Sequence, residues 1–140
     1  RLDAETTGLL LFTTDGELAH RLLHPRWKVE KRYRAVVDGR VTERELDRLR
    51  SGILLDDGVT LPARVRLLSS GDTSEVEISI REGRKRQVRR MFSAIAHPVL
   101  ELARLSFGPI ELEGLPPGAW RSLEPHEVDA LRAEVGMKEA

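Results

Sequence analysis

Residues 75–80 alternate without a break, Glu75, Glu77 and Ser79 against Val76, Ile78 and Ile80, and within a few residues the apolar period changes. From Arg84 onward Val88, Met91, Phe92 and Ile95 recur at helical spacing, so an amphipathic strand runs through Glu82-Gly83 almost directly into an amphipathic helix. A strand of period two buries one side of a sheet, and a helix with one apolar stripe must lie against such a side. This pairing commits the chain to helices packed on a sheet.

The remaining patterns extend that architecture. Gly8 to Thr13 reads as an apolar strand, and Thr14-Asp15-Gly16-Glu17 has capping-box spacing for a short helix carrying Leu18, Leu22 and Leu23 that ends near His24-Pro25. Tyr33 to Val37 is expected to be a strand closed by Asp38-Gly39, and Thr42-Glu43-Arg44-Glu45 a second capping box for a helix with Leu46 and Leu49 on one face. A turn at Asp56-Asp57-Gly58 precedes strands at Arg64 to Leu68 and Glu75 to Ile80. The helix from Arg84 stops at His97-Pro98 and is followed by a strand at Val99 to Phe107. A Pro-rich loop at 114–118, a short strand at Trp120 to Leu123 and a helix entered through Pro125 complete the chain. Strands and helices do not alternate regularly, which predicts an α+β fold: a mixed, largely antiparallel sheet with flanking helices.

At 140 residues the sequence suits one domain, residues 1–140. It contains no Cys, hence no disulfide framework and no thiolate zinc site, and no apolar run approaches the ~18 residues of a membrane span. The expectation is a soluble cytoplasmic monomer with neither metal nor cofactor. The four His have no metal-ligand spacing, and Walker, dinucleotide-binding and Gly-x-Ser-x-Gly patterns are absent. Trp27 and Trp120 read as packing residues. The 23 basic and 23 acidic residues cancel, but they are segregated. Residues 81–90 and 20–34 are basic, while Glu111, Glu113, Glu124, Glu127, Asp129, Glu134 and Glu139 gather near the C-terminus. Such segregation gives a neutral molecule a basic surface able to steer a polyanion.

Three residues could carry chemistry. Asp3, in Arg1-Leu2-Asp3-Ala4-Glu5-Thr6-Thr7-Gly8, is either a turn residue or a reactive carboxylate. Arg89 on the basic helix could make a two-pronged pair with it, holding it ionised, or could be a solvated or phosphate-binding cation. Tyr33 in Lys31-Arg32-Tyr33-Arg34 could stack on an extruded base while its neighbours hold phosphates, or could be an ordinary strand residue.

Read together, several ordered motifs resemble the ribosomal pseudouridine synthases of the RsuA/RluB type. They are Arg1-Leu2-Asp3 with Thr6 and Gly8 to Leu11, Thr14-Asp15-Gly16-Glu17-Leu18, His24-Pro25, Lys31-Arg32-Tyr33, Glu82-Gly83-Arg84 with Arg86-Gln87-Val88-Arg89-Arg90-Met91, and Leu102-Ala103-Arg104 with Gly108. The likeness runs to about residue 132. It implies the catalytic fold of that family, isomerisation of uridine in ribosomal RNA, with large-subunit RNA favoured, and no cofactor or metal. Asp3 would be the catalytic aspartate, Tyr33 the aromatic over the target ring, Arg89 the ion-pair partner of Asp3, and Leu102 an apolar wall of the base pocket. Arg1 would help fill the gap left by the flipped nucleotide. Lys31, Gln87 and the cations Arg84, Lys85, Arg86 and Arg90 would hold the RNA. The family usually carries an N-terminal RNA-binding domain and a strand ahead of Arg-Leu-Asp, so the chain is expected to be an N-terminally truncated catalytic domain. Two other classes fit the same residues: a non-catalytic RNA-binding or ribosome-associated module, and a hydrolase pairing Asp3 with Glu5 or Asp15.

Overall fold

The computed structural model describes residues 2–138. Arg1 and Glu139, both named above, lie outside the described residues. Eight strands and four helices are formed there: β1 Thr6–Gly8, α1 Gly16–Leu23, β2 Lys31–Asp38, α2 Glu43–Ser51, β3 Leu54–Leu55, β4 Gly58–Val59, β5 Arg64–Ser69, β6 Thr73–Ile80, α3 Gln87–Ala94, β7 Val99–Phe107, β8 Ile110–Glu111 and α4 Pro125–Glu134. The main sheet has the order β1-β7-β2-β6-β5, with β8 on β7. Only the β1–β7 pairing is parallel, so the mixed, largely antiparallel sheet is as expected.

The alternation in β6 works as its sequence requires. Val76, Ile78 and Ile80 are buried with Ala35 and Val37 of β2, Leu46 and Leu49 of α2, and Val88, Met91 and Phe92 of α3. The opposite face is a ladder of charge pairs. Arg32 meets Glu77 at 3.1 Å and Glu111 at 2.6 Å, Arg66 reaches the same Glu77, and Arg34 pairs with Glu75. Period two explains why these cations are separated from Tyr33, which points to the core side, and they are engaged by carboxylates. A second core, built from Leu18 and Leu22 of α1, Leu131 of α4, and Val29, Phe107, Ile110 and Val135, closes the end of the sheet, with Trp27 packed against it.

Helix caps behave locally. Thr42 and Glu45 form the reciprocal capping box of α2. For α1 the cap is Asp15, whose side chain accepts from the Leu18 nitrogen, one residue later than the expected box. The helix expected from Arg84 starts only at Gln87, because Arg86 stands in the left-handed region with φ 51°.

Three expectations at the chain ends are corrected. The strand expected at Gly8 to Thr13 is the shorter Thr6–Gly8, since Leu9 leaves the sheet after bonding to Arg104 and Phe12 is exposed. No strand forms at Trp120 to Leu123, and Trp120 is not a packing residue but 84% exposed. The two-residue β8 had no signal, being too short to show a period.

Candidate active site

The position of Asp3 follows from the chain around it. The Thr6 nitrogen donates to the Asp3 carbonyl at 3.0 Å, turning the backbone into β1, which then lies beside Leu102–Arg104 of β7. Gly8 permits this approach, with φ 98° and its α-carbon against the Arg104 backbone. Across the other edge of β7, register sets Tyr33 opposite Arg104 at a bulge after Arg32. One parallel and one antiparallel pairing therefore bring Asp3, Tyr33, Leu102 and Arg104 to one place.

They line a cavity of about 550 Å³ together with Lys31, Ile80, Phe107 and residues 83–89. Leu102 is buried at its wall. The Tyr33 phenol is pushed up by burial and by the Asp3 carboxylate, against the pull of the adjoining Arg104 guanidinium. Tyr33 thus remains a protonated aromatic that feels both a carboxylate and a cation in the same cavity.

Arg89 reaches the cavity from the first turn of α3, but it does not pair with Asp3. Its terminal nitrogen donates to the Glu5 carbonyl at 3.1 Å, and its buried Nε has no hydrogen-bond partner in this state. Arg86 joins the same segment through an ion pair with the Glu5 carboxylate at 2.9 Å, which holds that carboxyl below its ordinary range. Glu5 therefore fastens both cations to the loop that carries Asp3.

The other residues expected to hold RNA are distributed differently. Lys85 is exposed. Arg84 donates to the carbonyls of Gly58 and Val59 and pairs with Asp57 and Glu82, while Arg90 pairs with Asp56 and Asp57. These bonds fasten the β3–β4 hairpin to the start of α3, and Arg90 first, then Arg84, presses the Asp57 carboxyl to about 2. Gln87 is 3% exposed and spends its amide on Glu82 and the Arg84 nitrogen. Lys31 is 9% exposed and directs its amine at the Glu82 carbonyl, 3.3 Å away.

The residue that sequence reasoning missed is Arg104. It is 2% exposed, donates from Nε to the Leu9 carbonyl at 2.9 Å, and stands 5.0 Å from the centre of the Phe107 ring. The signal was present. In Val99 to Phe107, Leu102, Arg104 and Ser106 share one face by period two, and a cation on a buried face requires a reason.

Residues 1–94 match the family described as RNA pseudouridylate synthase. The chain is 48% identical over 136 residues to ribosomal large subunit pseudouridine synthase B of Bacillus subtilis (strain 168), covering 95% of this chain and 56% of the relative. It is 45% identical over 139 residues to an uncharacterized RNA pseudouridine synthase of Aquifex aeolicus (strain VF5), covering 99% and 56%. A crystal structure of a pseudouridylate synthase superposes with a TM-score of 0.86 at 37% identity, over 93% of this chain and 56% of that one. The chain spans about half the length of the curated relatives it matches.

Proposed function

Because the chain belongs to the RNA pseudouridylate synthase family, we propose that it converts a uridine of ribosomal RNA, with large-subunit RNA favoured, to pseudouridine, with Asp3 as the catalytic carboxylate. The observation that carries this reading is the single cavity joining Asp3, Tyr33 and Leu102, residues distant in sequence but adjacent through β7. Its volume suits one extruded nucleotide.

Each group has a part in the reaction. The uridine must leave its stack, at a cost of a few kcal/mol that is least for unpaired RNA. Tyr33 supplies a ring for the extruded base, and Leu102 closes the apolar wall that keeps the detached uracil from escaping. Asp3 faces the ribose, where its negative charge stabilises the electron-deficient carbon formed as the base departs. Arg89 and Arg86, held by Glu5 beside the Asp3 loop, supply the positive field that attracts the flanking phosphates.

Tritium release from uracil labelled at carbon 5 in ribosomal RNA tests the reading directly, since the label is lost only when that carbon forms a new bond. Release by the native chain, with loss of turnover in Asp3→Asn and RNA affinity retained within severalfold, is the expected result. Binding without release would make the chain an RNA-binding module, and liberation of free uracil would make it a hydrolase.

A further inference from the structure

A second cavity, of about 210 Å³, has no part in the scheme above. Leu23, Lys31, Gly83 and Arg84 stand in its wall and in that of the larger cavity, so the two adjoin. One side of it is the connection from α1 to β2. There His24 accepts from the Arg26 nitrogen at 3.1 Å and Pro25 opens a single 3-10 turn. Lys28 closes that turn in the left-handed region, with φ 48°, before Val29 returns to the core. Glycine enters this region more readily than any side-chain-bearing residue, so the turn keeps a cation at some cost in backbone energy. The other side is the connection from β6 to α3, Arg81 to Arg84.

The charge of this space is one-sided. Among the described residues Glu82 is the only acid in its wall, and its two carboxylate oxygens are taken by the Leu61 nitrogen, Arg84 and Gln87. Lys28 makes no side-chain bond to a described residue. Arg81 stands 3.5 Å from Glu30, which Arg64 holds more closely at 2.6 Å. At the lip Leu23 is 58% exposed, although Leu22 beside it in α1 is buried. Cations at the back and an apolar edge in front fit the backbone of a nucleic acid, phosphate on one side and sugar on the other. The space is smaller than the roughly 300 Å³ at which ligand pockets begin, which suits one phosphodiester with its sugar and excludes a second extruded nucleotide.

We propose that this cavity is a backbone seat, in which Lys28 and Arg81 hold a phosphodiester adjoining the extruded uridine and Leu23 meets its ribose. The occupant is the same RNA strand, so the proposal rests on the isomerase reading for what fills the larger cavity. Arg86 and Arg89, beside Glu5, line only the larger cavity, so the two pairs of cations take the strand at different places. A strand held at two places keeps its nucleotide out of the stack and its ribose aligned with Asp3.

The test is equilibrium binding and needs no turnover. The probe is an RNA pentanucleotide with a central uridine between cytidines, made with a neutral methylphosphonate at one linkage at a time. Lys28→Gln is expected to weaken binding of the unmodified RNA roughly fivefold, the upper range for one exposed ion pair. At one linkage adjoining the uridine the neutral group should cause a similar loss, and Lys28→Gln should then add nothing further. Arg81→Gln should show the same non-additivity at the same linkage. Arg26 supplies the control, since it lies on the same turn but is directed at the Trp27 ring, 4.9 Å from its centre. With large-subunit RNA, Lys28→Gln should lower the slope of log affinity against log salt by about 0.7–0.9 and Arg26→Gln should not. Losses that add at every linkage, or an equal change of slope in Arg26→Gln, would mean diffuse attraction and overturn the seat. A chain that shows the non-additivity and releases no tritium overturns only the isomerase reading.

Discussion

Gly8 lies so close to Arg104 that a β-carbon on it would fall 2.6 Å from the Arg104 nitrogen, inside any tolerable contact. This approach ties the Asp3 loop to β7, the strand that carries the buried Arg104. The obstacle is backbone, so no side-chain movement can relieve it. Gly8→Ala should cost about 1–3 kcal/mol from its positive φ, with about 1–3 kcal/mol more from crowding. A denaturant midpoint measures the total. Activity should fall beyond what stability explains, because β1 must shift and Asp3 with it. A variant as stable and active as the native chain would show that β1 does not set the site.

Tyr33→Phe keeps the ring and removes the hydroxyl, whereas Tyr33→Ala removes both. Single-turnover rates should fall on the order of 10²-fold or more in the Ala variant, where the base loses its positioning surface, and less in the Phe variant. An unimpaired Ala variant would remove Tyr33 from the site.

Lys85 and Arg90 are neighbours of Arg89 but should behave differently. Lys85→Gln is expected to reduce the slope of log affinity against log salt by about 0.7–0.9, one phosphate contact. Arg90→Gln should leave the slope nearly unchanged and instead release the hairpin at 54–59, seen as faster amide exchange there, since its guanidinium holds Asp56 and Asp57. The reverse pattern would make Arg90 the RNA contact and the ion pairs incidental.

His97 joins the end of β2 to α2, with Nδ1 2.7 Å from the Asp38 carbonyl and Nε2 2.9 Å from Glu45. Burial alone would lower its pKa, but the Asp38 carbonyl and the Glu45 carboxylate outweigh it and the value is raised above 6.5. The imidazolium therefore contributes stability that is complete below 6.5 and lost as pH rises through the higher folded value. Glu45 is lowered from 4.5, by the Thr42 backbone bond above all, so its contribution is present above 4.5 and lost in acid. Denaturant midpoints should decline from pH 6 to pH 8 in the native chain, and that decline should be smaller in His97→Gln. An identical decline in both would place the titrating group elsewhere.

Much of the fold was legible because its causes are local. The alternation of β6, the capping box at Thr42 and Glu45, and the helical apolar spacing from Val88 to Ile95 depend on residues within a turn or a strand of one another. The same rules failed where a local pattern had two outcomes. Gly8 to Thr13 is as apolar as a strand, yet it continues past the sheet, because pairing and not hydrophobicity makes a strand.

From the sequence by itself come the layered architecture, the carboxylate, the aromatic residue and the basic segment around residue 86. Which cation stands where was decided only by the tertiary structure. Arg89 was expected to meet Asp3 and binds the Glu5 carbonyl instead, while Arg104, 71 residues from Tyr33, is set against it by strand register. Guanidinium groups reach far and accept many partners, so linear order says little about their pairing, and only the packed backbone selects one.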